Sequence, residues 1–328
     1  MAGNGVLVIG ELAGGAPVQA TLEAIAAARA LNAGTVGVAL AGGPGAASAA
    51  AQAAIAHGAD TVYTVEHEVL ANSQPDALVA AAEAVVKHVG PAIVLGARTL
   101  AGRDVLPRLA FRLGTALAAD CAAVALDGQG RLLATRPVYG GNAEATVVCL
   151  GTPAVASLRP KSVDALPADA ARTGSVEAVD AGLSAGTVRV RSLERVEAKA
   201  EGVRLEDARV VVSGGRGLAG PEPFAQLEAL AGLLGGTVGA SRAACDAGWI
   251  PSSHQVGLTG RTVTPEVYIA IGISGASQHM AGCSNAKAIV AINKDAGANI
   301  FKQARFGVSG DWRNVLPAFM EQLQELLG

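Results

Sequence analysis

The chain has 328 residues, of which 51% are hydrophobic, 16% charged and 3% aromatic, with 42 glycines and a net charge of −3. That length exceeds one average domain and fits two, with enough apolar side chains for two cores. With no basic field to hold a polyanion and few rings on which bases could stack, nucleic acid is excluded as the expected partner.

"GVLVIG" from Gly5 reads as a first strand, and "PVQATLEAIAAARAL" as the helix that follows it. "TVGVAL", "DTVYTV" and "AIVLGA" continue the strands, and "GAASAAAQAAIAHG", "PDALVAAAEAVVKHVG" and "GRDVLPRLAFRLG" supply helices around them. Continuous apolar strands separated by helices predict a parallel sheet covered on both faces. From Cys121 to Leu150 the pattern changes to short runs spaced by "DGQG" and "YGGN", which predicts hairpins, read here as an antiparallel edge of that sheet. The mixed-sign run from Val188 to Asp207 reads as a solvated linker and places a domain boundary near residue 200. Residues 1–197 are expected to form an N-terminal α/β domain with a mostly parallel sheet, and residues 198–328 a second α/β domain.

The second domain opens on "ARVVVSGGRGLAG", a strand ending in a glycine turn, followed by a helix over "PEPFAQLEALAGLLG" and a short strand "GTVGAS". A polar stretch then leads to two smooth strands, "YIAIG" from Tyr268 and "AIVAIN" from Ala288, and a final helix runs from Asp311 to Leu327. Between the two strands lies a loop of Gly, Ser, Gln and one His. It is either a plain connection or a cradle for a polar group, and His279 alone reads as readily as a satisfied core histidine.

Cys121, Cys149, Cys245 and Cys283 are scattered, with no C-x-x-C and no metal-type spacing, so no metal site is expected and a reducing compartment is. The start carries no basic stretch and long apolar core of a signal peptide, and no run approaches the roughly 18 to 20 apolar residues of a membrane span. The expectation is a cytoplasmic protein with no direct membrane insertion.

"GRGLAG" (Gly215, Gly217, Gly220) satisfies G-x-G-x-x-G between a strand and a helix, where glycines permit close backbone approach and a helix start favours phosphate. Pro221 and Pro223 displace the helix start, and "GGTVGAS" has no acidic residue to grip a ribose, so a standard nicotinamide site is disfavoured. Arg216 inside the turn suits an anionic group. Arg242, like most arginines at such places, reads more readily as a salt-bridge partner than as a ligand group. Its company is what matters: Arg216, Arg242, Gln255, Thr259, Ser274, Gln278 and His279 all fall at strand ends or loops of one domain, where open α/β sheets bind ligands. No carboxylate pair or nucleophile–base pair accompanies them, and "SSHQ" and "SQH" lack a nucleophile elbow. The set is rich in donors and poor in acid–base groups, as expected for holding a large polar cofactor that brings its own chemistry.

"YIAIGISGASQHMAG" followed by "AIVAIN" resembles the signature of the electron transfer flavoprotein α subunit, and "SGGRGL", "SRAACDAGW", "QVGLTG", "NKDAGANIF" and "GVSGDW" occur in that family's order. "GRDVLPRLAFRLG" and "TRPVYGGNAEATVVC" extend the resemblance across the first domain. It implies a C-terminal Rossmann-like domain binding FAD non-covalently and a structural, interfacial N-terminal domain. It further implies a heterodimer with a β subunit, and leaves AMP, if the complex binds it, to that partner.

Carried over by position, Arg216 and Ser241 lie along the cofactor, and Arg242 against the isoalloxazine. Gln255, Val256, Gly257 and Thr259 wrap the ring edge, with the Thr259 hydroxyl near N5. Ser274, Gly275, Ser277, Gln278 and His279 form the turn beside pyrophosphate and flavin, and Asn293, Asp311 and Trp312 stand at the adenosine end. The chain departs from the family at Leu258, where a polar residue is usual, and at Arg305, where an acid is common. Arg98 and Arg103 are candidates for surface contacts of the first domain.

The implied role is an electron carrier without substrate turnover. It accepts electrons from flavin dehydrogenases such as the acyl-CoA dehydrogenases of fatty acid β-oxidation and passes them to a membrane quinone oxidoreductase or another acceptor. Negative charge arriving at the N1/C2=O edge of the flavin is best met by a fixed cation or donor, and Arg242 and His279 are the candidates. The alternatives are a nicotinamide-dependent Rossmann dehydrogenase and a nucleotide-binding protein without redox function.

Overall fold

A computed structural model describes residues 5–139, 143–189 and 204–327, which fall into two compact units, one within 5–138 and 143–189 and the other within 204–327. The expected boundary after residue 197 and most of the charged run lie outside the described residues.

In the first unit β1 (Val6–Ile9) leads through a two-residue hairpin, β2 (Leu12–Ala13) and β3 (Ala16–Pro17), to α1 (Gln19–Ala30). There follow β4 (Val36–Gly42), α2 (Ala46–Ala56), β5 (Thr61–Glu66), α3 (Pro75–Val89), β6 (Ile93–Ala97), α4 (Leu100–Arg112) and β7 (Leu117–Cys121). Then come β8 (Ala123–Leu126), β9 (Leu132–Val138), β10 (Ala143–Val148), β11 (Ala154–Leu158) and β12 (Ser175–Ala178). A seven-stranded sheet runs β12-β5-β4-β1-β6-β11-β7. All of its pairings are parallel, with Val8 of β1 opposite Val38 and Leu95. Those three side chains are fully buried.

Alanines of α1 and α2 lie against one face of the sheet, and α3 and α4 cover the other with Ala77, Ala81, Val85 and Leu109. Each fully buried Val or Leu here contributes about 1.5–3 kcal/mol of transfer free energy. The predicted hairpins exist, but they are not an edge of this sheet: β10-β9-β8 form a separate antiparallel sheet. The parallel edge position belongs to β7, paired with β11, a wholly buried strand that the sequence reading passed over.

The second unit is a five-stranded sheet, β14-β13-β15-β16-β17, parallel throughout. Its elements are β13 (Val210–Gly214), α5 (Phe224–Leu233), β14 (Thr237–Ala240), α6 (Arg242–Asp246), β15 (Val267–Ile271), α7 (Ser277–Cys283), β16 (Ala288–Asn293), β17 (Phe306–Ser309) and α8 (Trp312–Leu327). One face packs on α5 and α8 through Val212, Leu227, Ile269, Trp312 and Leu316; the other packs on α7 through Val211, Tyr268, Ala270 and Met280. The start of α5 at Phe224 follows from Pro221 and Pro223. Three elements correct the sequence reading. α6 and α7 are short helices where loops were expected, and β17 is an added edge strand.

Candidate functional site

The order of the second sheet creates a switch between β13 and β15, because the chain leaves β13 toward β14 on one side and returns to β15 on the other. Crevices outside the carboxyl ends of strands at such a switch are where open α/β sheets take ligands. The residues singled out in the sequence gather at that edge: Arg216 follows β13, Ser241 and Arg242 follow β14, Ser274 to His279 follow β15, Asn293 ends β16, and Asp311 follows β17. Gln255 joins them because it bridges to Ala240 at the end of β14.

Glycine lets these segments touch backbone to backbone. A Cβ on Gly217 would sit 2.8 Å from the Gly272 carbonyl oxygen, and Gly272 itself has φ +64°, so the turns after β13 and β15 meet with no room for side chains. The turn after β13 is also held from outside, by the Trp312 indole N–H donating to the Gly217 carbonyl at 3.3 Å. Farther along, the Leu258 N–H donates to the Gln278 carbonyl at 2.7 Å and Val263 N–H to Gly282 at 2.7 Å, which lays segment 255–263 along α7. Val256 and Gly257 are buried in that seam, with φ +147° at Gly257.

The individual side chains divide by what they have already spent. Buried Gln255 donates its amide N–H to Thr259 Oγ1 at 3.0 Å, so the exposed Thr259 hydroxyl keeps its own proton to give. Arg242 opens α6 rather than a loop; its side chain is 69% exposed and pairs with Asp246 at 3.2 Å. Ser241 occupies the position before α6 where a serine normally caps, yet its hydroxyl makes no cap bond and is buried without any partner. Arg216 and Ser274 are exposed, and the Ser277 hydroxyl reaches only Gln278 Oε1, at 3.3 Å. Gly275, at φ +78°, is packed against the Ile300 backbone.

Toward the other end of the edge, Asn293 donates to the Ile273 carbonyl at 2.9 Å and accepts from Asp295 N–H at 3.0 Å. Its amide therefore ties β16 to the turn after β15. Asp311 accepts from the Arg313 N–H at 2.9 Å, and Trp312 is 9% exposed within the core. Of the two departures, Leu258 is 60% exposed and Arg305 lies over the Phe306 ring.

His279 sits on the buried face of α7, 8% exposed, and its Nε2 is 2.9 Å from the Tyr268 hydroxyl. Burial lowers the imidazole to about 4, with the Val256 backbone offsetting part of that effect, so the ring is neutral at pH 7. Nδ1 is buried with no hydrogen-bond partner, since the neighbouring Val256 main chain does not complete one. The reading of His279 as a cation or donor thus narrows to an uncharged donor or acceptor. Buried polar atoms without partners are uncommon and costly. Two of them, Ser241 Oγ and His279 Nδ1, stand at this one edge, which is what a cradle for a polar ring system leaves for its ligand to complete.

Sequence reasoning gave no site role to Tyr268, which bonds His279, to Asp246, which pairs with Arg242, or to Ser213, whose buried hydroxyl on β13 has no hydrogen-bond partner. Tyr268 and Ser213 lie inside smooth apolar strands, where nothing in the local pattern marks them, and Asp246 is marked only by its i,i+4 spacing from Arg242. The first unit offers a weaker edge. The backbone N–H groups of Gly45 and Ser48 at the start of α2 already donate to the Glu66 carboxylate, at 3.0 and 2.8 Å, and Thr99 before α4 donates to Glu11. A phosphate there would meet standing carboxylates. Arg98, expected at the surface, is half-buried and paired with Asp120 at 3.4 Å, whereas Arg103 is exposed. Among the described residues no three His, Cys, Asp or Glu side chains gather as metal ligands, and no helix is long and apolar enough to cross a membrane.

Comparison with known proteins matches residues 6–184 to the electron transfer flavoprotein domain and residues 204–284 to the electron transfer flavoprotein FAD-binding domain. The chain is 40% identical over 324 residues to the electron transfer flavoprotein subunit alpha of Bacillus subtilis, covering 99% of this chain and 98% of that one. It is 45% identical over 273 residues to the subunit alpha of Thermoanaerobacterium thermosaccharolyticum, covering 83% of each, and 37% identical over 282 residues to protein FixB of Azotobacter vinelandii, covering 84% of this chain and 77% of that one.

Proposed function

Because the chain belongs to the electron transfer flavoprotein α-subunit family, whose members are electron carriers that bind FAD, we propose that its second unit holds the flavin at the carboxyl edge of β13, β14 and β15. FAD, when bound, supplies the redox chemistry. The protein supplies the rest. Ser241 Oγ and His279 Nδ1 bring unspent, buried hydrogen-bonding atoms, Thr259 a free hydroxyl proton, and Arg216 and Arg242 fixed positive charge. The remaining members of the set, Gln255, Val256, Gly257, Ser274, Gly275, Ser277, Gln278, Asn293, Asp311 and Trp312, shape the turns and hold them together. A preorganised donor costs no reorganisation when negative charge arrives, and a neutral imidazole in a dry site is such a donor.

The observation that carries this reading is the pair of buried, unpartnered atoms, Ser241 Oγ and His279 Nδ1, at the switch of the second sheet. The wider role follows from the family. The chain pairs with a β subunit as a heterodimer, accepts electrons from flavin dehydrogenases such as acyl-CoA dehydrogenases, and delivers them to a quinone oxidoreductase or another acceptor in the cytoplasm or at its membrane. The test is rapid mixing of the flavin-loaded α/β complex with a substrate-reduced acyl-CoA dehydrogenase. Bleaching of the complex's flavin at a rate that saturates with dehydrogenase is the expected result. A flavin that stays oxidised with every reduced flavin dehydrogenase tried, yet is reduced by NADH, would overturn it.

A further inference from the structure

We propose that Tyr268 is a positioning residue of the flavin site: its hydroxyl donates to His279 Nε2 and fixes the imidazole as the Nδ1–H tautomer, so that the ring offers one proton and no charge. This rests on the reading above that segment 274–279 faces the flavin. The hydroxyl lies 2.9 Å from Nε2, and Tyr268 is fully buried on β15, with no freedom to leave.

Two tautomers are compatible with that distance, and the surroundings separate them. If Nε2 carried the proton and Tyr268 accepted it, the phenol's own proton would turn to the Ser213 hydroxyl beside it, and Nδ1 would be a bare lone pair. The backbone beside the ring is that of Val256, whose N–H already donates to the Ala240 carbonyl at 2.9 Å. What Val256 turns to the imidazole is therefore a carbonyl, and a carbonyl facing a lone pair is repulsive. With Tyr268 as donor, Nε2 is satisfied and Nδ1 carries a proton that the neighbouring Val256 carbonyl favours without reaching bonding geometry.

The phenol is suited to this task. Burial raises Tyr268 well above its ordinary range, so it remains a donor at any working pH. The Cys283 thiol, pushed up to about 12 by burial, is likewise protonated and donates to the His279 carbonyl at 3.6 Å. No carboxylate contacts the imidazole among the described residues, so nothing draws a second proton onto the ring. An acceptor is the one group that completes Nδ1–H, and the ring carbonyls of a flavin are of that class.

The test is ¹⁵N spectroscopy of the full chain with its β subunit, labelled at its 5 histidines, with His279 assigned by its loss in His279→Gln. The expected wild-type spectrum shows His279 with a protonated Nδ1 and an unprotonated Nε2 at pH 7.5. In Tyr268→Phe the two nitrogen shifts should move toward each other as the tautomers mix, and the flavin midpoint potential should fall while FAD content is retained. A wild-type His279 in the Nε2–H form would overturn the proposal, and this arm needs no variant to fold. A tautomer and a potential both unchanged in Tyr268→Phe would overturn it equally. A colourless complex would instead contradict the FAD reading, so the two failures are distinct.

Discussion

In the proposed flavin site Arg242 and His279 would meet negative charge in opposite ways, one by a permanent charge in water and the other by an uncharged donor in the core. Arg242 is 69% exposed, and its exposed pair with Asp246 contributes at most about 1 kcal/mol to folding. Arg242→Ala should therefore leave the fold intact and lower the flavin's reduction potential, by an amount equivalent to roughly 1–3 kcal/mol for one charge-assisted contact. Arg242→Lys should restore part of the loss, because an ammonium lacks the planar face of a guanidinium. Reductive titration followed by absorbance checks this, and an unchanged potential in the Ala variant would shift the role to His279.

The buried imidazole sets a pH dependence of its own. Its folded value, about 4, is below the ordinary 6.5. Between those values the unfolded chain binds the proton and the folded chain does not, so stability falls as pH drops through that window, by roughly 3 kcal/mol at most. Both tryptophans, Trp249 and Trp312, lie in the second unit, so tryptophan fluorescence during urea denaturation reports that unit. His279→Gln should flatten the pH slope between about 6.5 and 4, and an unaltered slope would contradict the buried neutral state.

At the scale of elements, the turn after β15 depends on Gly275, at φ +78° with an added Cβ falling 2.2 Å from Ile300 N. Gly248, at φ +74°, has open space around it. Gly248→Ala should cost only the left-handed backbone penalty of about 1 kcal/mol, whereas Gly275→Ala must also displace the Ile300 backbone and should cost several. Equal losses in urea midpoint for the two variants would show that the turn is not packed as described. Strands such as β13, β15 and β16 were legible in the sequence because both their faces are buried and their runs are unbroken. β17 was not, since all four of its residues are exposed. α7 was hidden because polar Ser277 and Gln278 cover its start, while His279, Met280, Gly282 and Cys283 form the buried face at helical spacing. The candidate site residues stand out in the sequence through their motif, and the structure places them at strand ends as that motif implies. Which atoms are already spent, as in Asn293 or Gln255, and which are not, as in Ser241, depends on partners distant in sequence or on geometry that spacing does not encode.

At the scale of the whole molecule, the fold divides its labour. The first unit closes its own helix starts with Glu66 and Glu11 and leaves Arg136 Nε as its one buried unpartnered side-chain atom among the described residues, while the second leaves Ser213 Oγ, Ser241 Oγ and His279 Nδ1. Leu100, Phe111 and Leu150, all in the first unit, are 73%, 85% and 78% exposed, and in the proposed heterodimer they are candidates for contact with the β subunit. The chain alone should therefore lose FAD or sediment as aggregates, and added β subunit should restore a flavin-loaded heterodimer. A stable, FAD-saturated monomer indifferent to the β subunit in sedimentation would contradict this.

The claim beneath all of these is that the chain holds FAD, non-covalently, in its second unit. The direct measurement is the absorbance spectrum of the chain purified with its β subunit, followed by denaturation and quantitation of the released flavin in wild type and in Ser241→Ala, which removes only the unspent hydroxyl. Flavin bands in the native wild-type complex, one FAD released per α chain, and weaker FAD retention in the variant are the expected results. A colourless complex that takes up no added FAD, or flavin retained equally by the variant, would contradict that claim.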